Sequence, residues 1–119
     1  MPGDAKLPHA EAAYVERAKI VSYLLNSAHR DGRGKSEFFR HVGFTEALWL
    51  ALADGLRRVA QANCVKEAVT TEFGINYVIE GELETPVGRR VWVRTVWEIT
   101  PERPAPRLIT AYPGKAEHD

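Results

Sequence analysis

Cysteine occurs once in this chain, as Cys64. One thiol excludes an intrachain disulfide and a thiolate zinc cluster. At the end of a helical pattern, next to Asn63, it reads as a small buried apolar residue rather than a nucleophile, since nothing near it in sequence would lower its pKa. Long apolar runs are missing as well: none approaches the roughly 18 residues needed to cross a bilayer. The start, Met1-Pro-Gly-Asp-Ala-Lys6, has no signal-peptide apolar region. The expectation is a cytoplasmic protein without a membrane partner. Net charge is missing too, with 16 basic and 16 acidic side chains, which counts against an ordinary nucleic-acid binder.

Other absences concern motifs. There is no phosphate-binding P-loop, dinucleotide fingerprint or calcium loop. His9, His29, His41 and His118 show no paired metal-ligand spacing. Ser22, Ser27 and Ser36 stand in no nucleophile-elbow context. No cofactor and no metal are implied.

What is present is an ordinary globular composition, 45% hydrophobic and 27% charged over 119 residues, enough for one domain and one core. The charges are polarised along the sequence. Residues 26–41 hold Arg30, Arg33, Lys35 and Arg40 against Asp31 and Glu37, a net +2. Residues 66–88 hold Lys66 against five glutamates, a net −4, and residues 89–107 five arginines against Glu98 and Glu102, a net +3. A neutral molecule can therefore still carry a local basic cleft.

The division expected is an extended arm over 1–13, one domain over 14–113 and a polar tail over 114–119. Ile20, Val21, Leu24 and Leu25 recur at helical spacing and predict a first helix over 16–25. Phe38, Phe39 and Val42 predict a second over 34–42, with Gly43 as its C-terminal cap. Leu48, Leu52, Leu56 and Val59 mark one face of a third, with Thr45 as N-cap. Gly55 inside that helix costs about 1 kcal/mol relative to alanine, which a close approach by another element would explain.

After Asn63 the period changes from helical to alternating. Strands are expected around Val65–Thr71, Tyr77–Glu84, Arg90–Ile99 and Arg107–Tyr112. Turns are expected at Phe73–Asn76 and Thr85–Gly88, and a stiff loop at Pro101, Pro104 and Pro106. On the third strand Val91, Val93, Thr95, Trp97 and Ile99 should face the helices. Three helices followed by a four-stranded antiparallel meander define an α+β fold.

Two groups of residues suggest chemistry. The stretch Asn26–Lys35 brings His29, Arg30, Arg33 and Lys35 within seven positions, with Gly32 and Gly34 to turn the backbone. Histidine exchanges protons near neutrality. A lysine at a helix start opposes the macrodipole unless an anion sits there. The plain alternative is a solvated loop. The second group is Arg94-Thr-Val-Trp97 with Arg107–Pro113. If those strands pair, Thr110, Tyr112 and arginines collect near one end of the sheet, although threonine and tyrosine also simply favour strands.

Leu7-Pro-His-Ala10, Lys19–Asn26, His29, Gly32, Lys35-Ser-Glu-Phe-Phe39, Gly43-Phe44, Phe73-Gly74, Tyr77, Gly81, Leu83, Arg94–Trp97 and Pro106–Pro113 resemble a small prokaryotic domain family of unknown function. Its members occur alone or at the C-termini of adhesin-like polymorphic toxins. The order of helices and strands is also similar to the metal-independent ribonuclease fold shared by barnase, EndoU, colicin and RelE-type toxins.

That second resemblance implies RNA cleavage by the ribose 2′-hydroxyl, with a general base, a general acid and groups that stabilise the phosphorane. The catalytic candidates are His29, Lys35, Arg94, Thr110 and Tyr112. The candidate anion-binding residues are Arg30, Arg33, Lys35 and Arg107. The implied partners are RNA and a cognate immunity or antitoxin protein. The alternative is a non-catalytic binding module, immunity-type or phage-associated, which would present a sheet edge or apolar patch instead.

Overall fold

The computed structural model describes residues 5–26 and 33–114, and of Arg33 and Gly34 the backbone alone. Helical elements are α1 (Arg17–Lys19), which runs directly into a π-helix over Ile20–Leu24, then α2 (Arg33–His41) and α3 (Trp49–Ala62). They are followed by β1 (Glu67–Thr70), β2 (Ile75–Glu84), β3 (Arg90–Thr100) and β4 (Arg103–Pro113), one antiparallel sheet in the order β1-β2-β3-β4. The α+β meander expected from the change of period is the fold observed.

The sheet is built around β3. Val93, Thr95 and Trp97 are buried on the face that meets the helices, while Trp92, Arg94, Val96 and Glu98 alternate onto the open face. Into the covered face pack Ile20 and Leu24 of the π-helix, Phe39 of α2, and Leu52, Leu56 and Val59 of α3, all essentially without exposure. One polar chain is sealed inside. The indole N–H of Trp97 donates to the Thr95 hydroxyl at 2.8 Å, and that hydroxyl donates to the Ile79 carbonyl at 2.7 Å.

Two glycines are used as the spacing implied. Gly43 ends α2 at φ +103°, a left-handed conformation that a side chain resists. Gly55 lets α3 approach β2 so closely that a Cβ there would stand 2.6 Å from Leu83 Cδ1.

Several expectations need correction. The first helix is not regular: the Leu25 amide bonds back five residues to the Ile20 carbonyl at 2.8 Å, so the turn is widened. Thr45 has the extended backbone of an N-cap but makes no side-chain cap bond, and a 3₁₀ turn over Glu46–Leu48 leads into α3 instead. Cys64 is only half-buried. The turn after β1 lies at Thr71–Gly74, where the Thr71 hydroxyl accepts from the Phe73 and Gly74 amides at 3.1 Å each.

Of the expected proline loop, Pro101 lies in the turn between β3 and β4, whereas Pro104 and Pro106 are part of β4. Pro104 and Pro106 have no amide to donate, but β4 is an edge strand and tolerates them. Register shifts at Val96/Trp97 and Glu98/Thr100 absorb the irregularity. The outer side of the edge is partly covered by Tyr14, whose amide donates to the Pro106 carbonyl at 2.9 Å and whose carbonyl accepts from Leu108 at 3.1 Å. Of segment 1–13, the described residues include buried Leu7 and Ala13 and a 3₁₀ turn over Ala10–Ala12, so this stretch joins the core. No helix among the described residues is long and apolar enough to cross a membrane.

The sealed Trp97–Thr95 pair gives a direct test of the core. Thr95→Val keeps the shape and strands the buried indole N–H, a loss of about 1–3 kcal/mol. In a Trp97→Phe background the same change should cost less, because no donor is left unpaired. Urea denaturation of the four proteins measures both; equal costs in the two backgrounds would contradict the assignment.

Candidate functional site

Helices cover one face of the sheet, so groups from the helical layer and the open face can meet only around an edge. They meet at the C-terminal part of β4. Pairing sets Tyr112 opposite Arg94 and Thr110 opposite Val96, on the open-face alternation. From the helical side, Tyr23 in the π-helix reaches Thr110, the two hydroxyl oxygens 3.2 Å apart.

The two helical segments are locked together first. The Arg40 guanidinium donates through Nε and Nη2 to the carbonyl of Leu25, a group left unsatisfied where the first helix ends. Lys35, five residues earlier in α2, then has its ammonium 5.4 Å from the Tyr23 ring centre and 5.8 Å from that of Tyr112. Lys19 approaches the Tyr23 ring at 5.1 Å. Both distances for Lys35 are within the range of cation–π attraction. Burial raises the Tyr23 pKa, but the bond to Thr110, the charge and hydrogen bonding of Lys35 and the charge of Lys19 outweigh it and hold the phenol below its ordinary 10.

On the open face Arg94 is held by carboxylates. Its Nη1 donates to Glu80 at 2.7 Å and its Nη2 to Glu67 at 3.2 Å. Glu80 also accepts from the Trp92 indole at 3.0 Å and lies 3.9 Å from the Lys66 ammonium. The bond to Glu80 raises the Arg94 pKa against the opposing effect of burial, and Tyr112 adds to the rise. Among the described residues, Lys19 and Lys35 thus gather at Tyr23, and Lys66 and Arg94 at Glu80.

The structure thus brings Lys35, Arg94, Thr110 and Tyr112 together, linked by Tyr23. His29 and Arg30 lie outside the described residues, as does the side chain of Arg33. Arg107 stands apart with partners of its own, Glu98 at 2.9 Å and Glu16 at 3.5 Å. It lines a separate open cavity of about 600 Å³ with Phe73, Glu98, Thr100, Glu102 and Arg103. Thr95, which neighbours Arg94 in sequence, is spent in the core. Tyr23 escaped the sequence reading because an isolated tyrosine in an apolar helical pattern looks like core; the lysines at 19 and 35 were the available signal.

Glu80 supplies a pH test. Burial raises its pKa, yet the hydrogen bonds from Trp92 and Arg94 and the charges of Lys66 and Arg94 bring it below the ordinary 4.5. A folded pKa below the unfolded one means stability present above the unfolded value and lost as pH falls through the folded one. Glu80→Gln should therefore lower the melting temperature at pH 7, and the gap to wild type should close as pH drops below about 4.5. A gap that stays constant from pH 7 to pH 2 would contradict this.

No curated protein matches the chain. Among solved structures, a chain of a contact-dependent growth inhibition toxin–immunity protein complex from Klebsiella pneumoniae 342 superimposes with a TM-score of 0.70 at 16% identity, covering 91% of this chain and 98% of that one. At that identity the likeness is one of fold. The family model of the domain of unknown function DUF6883 matches residues 6–115, and the chain belongs to that family.

Proposed function

We propose that this domain acts as a toxin that cleaves RNA without a metal ion, driving the ribose 2′-hydroxyl onto the adjacent phosphate. The observation that carries the reading is the convergence of Lys35, Thr110, Tyr112 and Arg94 around one edge of the sheet. A phosphorane needs positive charge and hydrogen-bond donors placed in advance. Lys35 supplies the charge, and the Thr110 and Tyr112 hydroxyls supply donors. Arg94, fixed by Glu80 and Glu67, keeps its charge beside Tyr112. His29, on the segment that leads into α2, is the proposed proton-transfer group, and Arg30 and Arg33 the proposed contacts to the RNA backbone. The fold shared with a chain of a toxin–immunity complex supports a toxin- or immunity-related role, with an immunity protein as partner.

A binding module is the second reading, favoured by one observation. All of β1 is exposed at the sheet edge, followed by Phe73 at 66% exposure. An uncovered edge can pair with a partner strand.

Fluorogenic RNA cleavage in EDTA separates the two. The toxin reading expects cleavage that leaves a 2′,3′-cyclic phosphate, with Lys35→Ala and His29→Ala each slower by about 10²-fold or more. Expression of wild type should slow bacterial growth and degrade RNA, and expression of His29→Ala should not. Intact RNA in the assay and equal growth would leave the binding module.

A further inference from the structure

We propose that Tyr23 is a catalytic base of this site, taking the proton from the ribose 2′-hydroxyl through its phenolate oxygen. The inference rests on the ribonuclease reading and extends it to a residue outside the set expected from sequence. Three independent features single out this tyrosine. It sits in the widened π turn closed by the Leu25-to-Ile20 bond, an irregularity found often at functional sites. Its hydroxyl crosses from the helical layer to the Thr110 hydroxyl on β4, which donates to the phenolate and is released toward the phosphorane as Tyr23 takes the proton. Two ammonium groups from different elements, Lys19 in α1 and Lys35 in α2, lie over its ring.

Among the described residues, the groups facing Tyr23 are Lys19, Lys35 and Thr110, with Tyr112 and Arg94 beyond Lys35. The lowered phenol pKa follows from that environment.

The step balances. The phenolate oxygen accepts the 2′-hydroxyl proton as the 2′-oxygen forms a bond to phosphorus. The bond from phosphorus to the 5′-oxygen breaks, and the departing oxygen takes a proton from water or from the general acid. The products are a 2′,3′-cyclic phosphate and a 5′-hydroxyl, and Tyr23 afterwards releases its proton to solvent.

The test is the pH dependence of RNA cleavage in EDTA for wild type, Tyr23→Phe, Thr110→Val and Lys35→Met, with tyrosinate absorbance followed in the absence of RNA. The wild-type pH–rate profile should carry an alkaline inflection below 10 that matches an absorbance transition missing from Tyr23→Phe. Tyr23→Phe should lose about 10²–10⁴-fold in rate together with the inflection. Thr110→Val and Lys35→Met should move the absorbance transition upward, which a merely structural tyrosine would not show. Tyr23→Phe that keeps both rate and inflection overturns the role of Tyr23 and leaves the ribonuclease reading standing. A wild type that cleaves no RNA overturns both, and an absorbance transition of Tyr23 at or above 10 overturns the Tyr23 role alone.

Discussion

The two-residue period of β3, with helices on one side only, is the constraint on which the rest depends. It commits Val93, Thr95 and Trp97 to a dry core and Trp92, Arg94 and Glu98 to an open face. A one-residue slip would exchange the two sets and bury an arginine without its carboxylates. The sealed Trp97–Thr95–Ile79 chain opposes such a slip, because its hydrogen bonds form in one register only. With the faces fixed, helix-borne and strand-borne polar groups can meet only around the rim, and the β4 edge is where Tyr23 and Lys35 do so.

The charge arrangement follows from the same geometry. Glu80, with its side chain 9% exposed, is costly to bury unless paired, and Arg94, Trp92 and Lys66 pair it. Arg94 is thereby held rigidly rather than left to search solvent. Lys35 is different in kind. The rings of Tyr23 and Tyr112 both lie within cation–π range of its ammonium.

The fold was legible where one period dominates. Leu48, Leu52, Leu56 and Val59 mark α3, and strict alternation marks β3. Legibility failed where tertiary context overrides local signals. Pro101, Pro104 and Pro106 read as a loop, yet an edge strand with register shifts and a bridge from Tyr14 accommodates the last two. The π turn around Tyr23 has no period of its own. At the site, Lys35, Arg94, Thr110 and Tyr112 were nameable because charges and hydroxyls clustered in two short stretches. Their meeting depended on strand register and on Arg40 docking α2 against Leu25, neither of which a sequence pattern records.

The proposed function requires that the Lys35 region form one anion-binding site shared by two helical segments and a strand. Titration of the protein with a uridine 3′-phosphate, followed by NMR of the lysine, tyrosine and threonine side chains, tests it most directly. Tyr23, Lys35, Thr110 and Tyr112 should shift together with a single Kd, and Lys35→Met should abolish the response. Shifts confined to Arg107 and its surroundings, or independent responses at the four residues, would contradict it.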